Sequence, residues 1–178
     1  MGKLERLFAL AIIGTLPLVQ SAWADDQPRI AATQVAGLFM QSCIAYAGNR
    51  AGLRDWARRN GLADVPEPAR TTFLSGVPGS VFDASNANGK FVLISDDAGG
   101  CSAVAEAANG PAVLAALEDD LRRANIGFAQ GQDAPDPQEP RLQHREYHAT
   151  LGTRSWRIVA GTVRDQQGGR AMLTANPN

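Results

Sequence analysis

The chain lacks an excess of charge of either sign, and it lacks any run of basic residues. It contains 17 basic and 18 acidic residues, which give a net charge of −1, and the two signs are mixed along the sequence. Nucleic-acid-binding proteins show a basic patch or stripe, so we expect no nucleic-acid partner. After residue 24, no apolar stretch approaches the ~20 residues that a membrane helix needs, so we expect the remaining chain not to be embedded in a membrane.

The sequence also lacks the motifs that mark common active sites. None of its serines lies in a Gly-x-Ser-x-Gly element, which presents the nucleophile in many hydrolases. The glycine pairs at residues 99–100 and 168–169 do not have the spacing of a phosphate-binding loop. We therefore predict no cofactor, and the sequence favours a protein without catalytic activity.

The first 24 residues have the composition of a cleavable export signal. Two basic residues supply a positive start, residues 7–19 form an apolar stretch, and residues 22–24 place small side chains at both cleavage-reading positions. A secretory signal peptide has these three parts in this order. We predict a signal peptide at residues 1–24, cleavage near Ala24, and a periplasmic or secreted protein.

Only two cysteines, Cys43 and Cys101, are present, and they are too far apart for a Cys-x-x-Cys redox motif. An exported chain meets an oxidising environment, in which such a pair normally closes. We therefore predict one disulfide between them. The remaining chain, residues 25–178, has the length of a single domain that buries its own core.

Apolar spacing predicts three helices. Apolar side chains recur at three- and four-residue steps from Thr33 onward, within residues 50–59, and after Pro111, a pattern typical of amphipathic helices. Alternating patterns predict β-hairpins over residues 81–95 and 142–163. This order of elements predicts an α+β fold, in which an antiparallel sheet is packed on one face by about three helices.

Two further segments complete the predicted domain. A short last strand is predicted near residues 171–174. Residues 130–140 contain three prolines and three acidic side chains, and this composition predicts a flexible, solvated loop.

Gly152 and Thr153 predict a two-residue turn that sets the pairing of the C-terminal hairpin. Leu151 then lies opposite Arg154, and the side chains of both strands alternate between two faces. One face is mostly apolar and the other mostly polar, as expected for an antiparallel sheet with one solvated side. The polar face is our candidate binding surface, and it comprises His144, Glu146, His148, Ser155 and Arg157.

The two histidines, His144 and His148, suggest a metal site at first sight. Residues four apart in a strand are separated by about 13 Å, too far for both rings to bind one zinc ion at ~2 Å. We therefore predict no metal site. Two alternatives stay open: a small hydrolase that uses Asp96, Asp97 or the face of His144, Glu146 and His148, and a carrier that holds a small apolar ligand between helices and sheet.

Several short elements around the cysteines form a recognisable pattern. They are Phe39-x3-Cys43, a helix that ends near Asn60 and Gly61, and an apolar strand followed by Cys101-Ser-Ala-Val104. Over roughly residues 35–125, this pattern resembles a broad set of small exported proteobacterial proteins of uncharacterised function. The resemblance implies a periplasmic α+β domain, and it carries over no catalytic residue.

These observations favour a binding or accessory protein of the kind that inhibits or escorts another envelope or secreted protein. The polar strand face combines charged groups with a pair of histidines. The loop predicted beside it, residues 130–140, is able to order on contact with a partner.

Overall fold

A computed structural model describes residues 22–164 and 168–177 of the chain. Most of the predicted signal peptide lies outside these residues. The helices are α1 (Ala22–Phe39), which continues into a π-helical turn (Met40–Ile44), α2 (Arg50–Arg59), α3 (Ala69–Leu74) and α4 (Gly110–Arg123). The strands are β1 (Ala63–Asp64), β2 (Gly79–Asp83), β3 (Phe91–Asp96), β4 (Cys101–Ala108), β5 (Gly127–Pro135), β6 (Leu142–Leu151), β7 (Arg154–Val163) and β8 (Gly169–Pro177).

All eight strands form one antiparallel sheet in the order β1-β2-β3-β4-β8-β7-β6-β5. The predicted α+β class with an antiparallel sheet is confirmed. Two meanders, β1 to β4 and β5 to β7, are built from neighbours in sequence, and β8 lies between them. The last strand of the chain therefore pairs with both β4 and β7 and joins the two halves of the sheet.

The main core lies between the inner face of the sheet and helices α1, α2 and α4. Side chains from these helices and from six strands form one buried cluster. Trp156, Tyr147 and Ile158 are its largest contributions from β6 and β7, and each is at most 1% exposed. Burial of such large side chains is the main favourable term in folding.

Local sequence signals explain the two best-predicted helices. At α4, the Asn109 side chain accepts a hydrogen bond from the Ala112 N–H at 2.9 Å, and a proline occupies the first turn. Asparagine caps and first-turn prolines favour a helix start at this point. At α2, Asn49 caps Gly52 in the same way, and Leu53 is buried on the inner side. The predicted bounds of α2 are confirmed. The first helix begins earlier than predicted, at Ala22.

The opposite face of the sheet is covered only in part. Val81, Ile94 and Val104 form a second, small cluster there, against Phe73 and Leu74 of α3. This short helix on the second face was not predicted. Among the described residues, the Phe73 ring of α3 lies 5.9 Å from the Arg170 guanidinium of β8, and no helix covers the rest of this side of β5 to β8. We call this side of the four strands the open face.

Two predictions about strands need correction. The predicted loop at residues 130–140 is wrong for its first half, because β5 extends to Pro135 and pairs with β6. A strand at the sheet edge has one solvated side, so its polar composition resembles that of a loop. Strand β4 was missed because it is rich in alanine, a poor strand former. Its Ala103 and Ala105 are fully buried, and their small size lets α1 pack closely on the sheet.

The predicted disulfide is present: Cys43 and Cys101 are bonded, with their Cα atoms 5.3 Å apart. This separation lies within the usual range for disulfides. The bond connects the π-helical turn after α1 to the first residue of β4. It therefore ties the helical layer to the centre of the sheet.

Candidate binding surface

The pairing of β6 with β7 places the predicted surface residues on one face. The structure confirms the predicted register, from Leu151 opposite Arg154 through to Leu142 opposite Val163. Alternate residues of each strand point to opposite faces. The open face therefore carries the five predicted residues together with three from β7 and β8: His144, Glu146, His148, Ser155, Arg157, Val159, Met172 and Thr174.

An ion pair on this surface joins strands β6 and β7. The Arg157 guanidinium donates to both carboxylate oxygens of Glu146, with Nε 3.2 Å from Oε2. This hydrogen bonding holds the pKa of Glu146 below its usual value. About half of the Arg157 side chain is exposed. The Glu146 side chain is only 21% exposed, so Arg157 is the more accessible group of the pair.

His144 connects the surface to the adjoining loop. Its Nε2 lies 3.0 Å from Oδ2 of Asp136. The backbone N–H groups of Glu139 and Gln138, together with His144, lower the pKa of Asp136. The part of the predicted loop that is a loop in the structure, residues 136–141, is thus held beside the open face. His148 is exposed and lies opposite Ala129 of β5.

Apolar atoms lie among these charged groups. Met172 is 40% exposed, and the neighbouring Val159 is half-buried. Between the two halves of the sheet, the Thr174 and Ser102 hydroxyls are hydrogen-bonded at 2.9 Å. The open face therefore has an apolar centre with an ion pair and two histidines beside it.

The acidic residues considered for catalysis lie elsewhere. Asp97 pairs with Arg54 at 2.5 Å, and this hydrogen bond lowers the pKa of Asp97. The Asp96 carboxylate accepts a hydrogen bond from the Gly100 N–H. Strands β3 and β6 are four strand spacings apart in the sheet, or about 19 Å. Asp96 and Asp97 therefore do not converge with His144 and His148 in one site.

A charged network on the inner face was not predicted. Tyr147 donates to Glu118 of α4 at 3.0 Å, and Arg145 binds both Glu118 and Asp133. The network lies in a groove of about 450 Å³ between α4 and strands β5 to β7. Glu118 also pairs with Arg122, four residues later on α4, at 3.0 Å. The alternation of Arg145 and Tyr147 with the outward histidines was the available signal that both lie on the inner face.

Burial and paired charges set the protonation of this network. Burial, aided by the hydrogen bond to Glu118, raises the pKa of Tyr147 to about 12. At Asp133, burial acts to raise the pKa, but hydrogen bonds from Gln143 and Arg145 outweigh it and the net pKa is lowered. Asp133 is therefore ionised and Tyr147 neutral over the physiological range.

We expect Tyr147 to make stability sensitive to alkaline pH. Its folded pKa of about 12 exceeds the ordinary value of 10.0, so the neutral phenol is favoured in the folded state. The resulting stabilisation is complete below pH 10 and is lost as the pH rises towards 12. Urea unfolding across this range should show a steeper loss of stability in the wild type than in Tyr147→Phe. If the free energy of unfolding fell equally with pH in both proteins, the raised pKa of Tyr147 would be contradicted.

Within the described residues, no group of three or more His, Cys, Asp or Glu side chains is arranged to hold a metal ion. No helix in the described ranges is long and apolar enough to cross a membrane. Comparisons of the chain with known protein families, with curated proteins and with solved structures found no match.

Proposed function

We propose that this chain is an exported, non-catalytic protein that binds another envelope or secreted protein through the open face. The observation that carries the proposal is the unequal cover of the sheet. Helices α1, α2 and α4 pack on the inner face, whereas no helix of the described residues covers the open face of strands β5 to β8. A sheet face of this kind is available to a partner without any rearrangement of the fold.

The composition of the open face supports a protein partner. A purely solvated sheet face carries polar side chains throughout, but this one contains Met172 and Val159 at its centre. Protein interfaces combine an apolar centre, in which methionine and arginine are enriched, with a polar rim. The pair of Glu146 and Arg157 offers charges of both signs at the surface, and the loop of residues 136–141 borders it.

Two observations support export. The first 24 residues have the three parts of a signal peptide in order. The bond between Cys43 and Cys101 is of a type that forms in oxidising compartments and is rare in the cytosol. Together they favour a periplasmic or secreted location, in which a partner would also be found.

We expect Arg157→Glu to abolish capture of the partner from a periplasmic extract. The change places a second carboxylate beside Glu146 and reverses one charge of the surface, so it adds repulsion as well as removing a contact. Arg154→Glu is the matched control, because Arg154 lies on the same strand but points to the inner side, over the Trp156 ring. Affinity capture followed by mass spectrometry compares the wild type with both variants.

The proposal requires one and the same protein to be captured by the wild type and by Arg154→Glu, and to be lost with Arg157→Glu. Thermal unfolding of each variant checks that the fold is intact. Equal capture by all three proteins would place the interface away from the open face. Hydrolysis of a substrate panel that is abolished by Glu146→Gln would instead favour the catalytic alternative.

A further inference from the structure

The two edges of the sheet are unequal. At one end, β1 has only two residues, whereas at the other end β5 has nine. Strand β5 pairs with β6 on one side, and no described strand pairs with its other side. A long edge strand presents unpaired backbone N–H and C=O groups, which pair readily with another strand.

Features that block edge pairing are confined to one half of β5. The ladder with β6 is interrupted by a bulge between Gln130 and Asp133, and the strand ends at Pro135. Bulges, charged residues and prolines are common means of protecting an edge. The other half, residues 127–130, contains none of them, and we call it the free edge segment. Its four residues are uncharged, and the pairing with β6 is regular.

The neighbouring hairpin determines which backbone groups of this segment point outward. In a hairpin with a two-residue turn, the residues that flank the turn exchange both backbone hydrogen bonds. Leu151 and Arg154 flank the turn. At the far end of the hairpin, ten residues before Leu151 and ten after Arg154, the Arg164 N–H donates to the Arg141 C=O at 3.0 Å. Both ends of the hairpin therefore show the same alternation of bonded residues. Odd-numbered residues of β6 therefore bond to β7, and even-numbered residues bond to β5.

The same alternation determines which residues of β5 are hydrogen-bonded to β6. Ala129 lies opposite His148, an even-numbered residue, so the backbone groups of Ala129 are bonded to β6. Phe128 and Gln130 alternate with it, and their N–H and C=O groups therefore point away from the sheet. The free edge segment thus offers two donors and two acceptors, spaced two residues apart.

We propose that the free edge segment pairs with the same segment of a second copy of this chain, in antiparallel orientation about a two-fold axis. With Ala129 opposite Ala129 of the second copy, Phe128 of each chain lies opposite Gln130 of the other. Both outward N–H groups and both outward C=O groups of each copy are then used, in four hydrogen bonds. A two-fold dimer needs such a self-complementary surface, and the segment is self-complementary in this register.

The positions of the charged side chains near this edge also favour a second copy of the chain. On the inner side, the Arg122 guanidinium at the end of α4 lies 5.3 Å from the centre of the Phe128 ring, and Asp133 lies farther along the strand on that side, bound to Arg145. Antiparallel pairing brings the Asp133 end of one copy towards the Arg122 end of the other, twice per dimer. Opposite charges then approach each other, and on the open side only the small Ala129 methyl groups meet.

The first experiment measures molar mass by light scattering after gel filtration of the mature protein over a dilution series. We expect twice the monomer mass for the wild type at high concentration and a return to monomer on dilution. Gln130→Pro removes one outward N–H that β6 does not use, so the dimer should be lost. Gln130→Ala keeps that N–H and should dimerise like the wild type. A wild type that is monomeric throughout, or a dimer that persists in Gln130→Pro, would overturn the proposal.

A second pair of variants tests the two-fold register even if the proline variant fails to fold. Ala129 is exposed and lies opposite its own copy, so Ala129→Lys and Ala129→Glu each place like charges together. Each variant alone should be monomeric, and an equimolar mixture should restore the dimer. A mixture that stays monomeric would overturn the proposed pairing of Ala129 with Ala129. The same result is expected if the free edge segment binds a strand of another protein instead of a second copy. The proposed capture through Arg157 is measured separately, so either proposal can fail alone.

Discussion

Loss of the bond between Cys43 and Cys101 is expected to lower the free energy of unfolding by about 4 kcal/mol. The two cysteines are separated by 58 positions, and closing a loop of this length in the unfolded chain removes entropy worth about 4 kcal/mol. Both cysteines are buried in the core, so the double variant Cys43→Ala/Cys101→Ala avoids placing new polar groups there. Urea unfolding of the double variant and of the non-reduced wild type measures the difference.

Reduced wild-type protein is the control for this measurement, because it loses the cross-link while every side chain is kept. We expect its unfolding midpoint to lie near that of the double variant and well below that of the non-reduced protein. Alkylation of both cysteines in non-reduced periplasmic material, or identical midpoints with and without reductant, would show that the bond does not form in the native protein.

Ile158→Ala is expected to destabilise the protein by roughly 2 to 5 kcal/mol. Its side chain is fully buried in the main core, and truncation leaves a cavity that the surrounding core fills only in part. His148→Ala is the matched comparison, because the exposed His148 lies on the adjacent strand but on the open face. Substitutions at such exposed positions usually change stability by less than about 0.5 kcal/mol.

Chemical denaturation of both variants distinguishes the inner face from the open face. The assignment of Ile158 to the inner face and of His148 to the open face requires a large loss of unfolding free energy for Ile158→Ala and almost none for His148→Ala. The same small effect is expected at His144 and Asp97, whose partners Asp136 and Arg54 are partly exposed. At Asp96 we expect a larger loss of stability, because its carboxylate accepts from the N–H of the buried Gly100. If His148→Ala unfolded as easily as Ile158→Ala, the open face would contribute to the fold and would not be free for a partner.

The C-terminal hairpin shows how far the sequence alone can predict structure. A two-residue turn at Gly152 and Thr153 fixes the register of both strands, and strict alternation then assigns every side chain to a face. Ten pairs follow from that one turn, and all ten are present. The grouping of His144, Glu146 and His148 on one face was predictable for the same reason.

Other parts of the fold depend on contacts between distant segments, which local patterns do not encode. The position of β8 between β4 and β7 depends on residues more than 60 positions away in sequence. The network of Tyr147, Glu118 and Arg145 depends on where α4 crosses the sheet. The strand character of residues 130–135 is decided by pairing with β6, since their own composition favours a loop.

The central place of β8 has a consequence for the order of folding. The hairpins of both halves form from local contacts, and local contacts form early. The two halves become one sheet only when residues 169–177 enter between β4 and β7. Until then, β4 and β7 each present an open edge, and such edges promote aggregation of incomplete chains. If the chain is exported as proposed, a chain from which residues 169–177 have not yet emerged would expose both edges and would be most prone to aggregation.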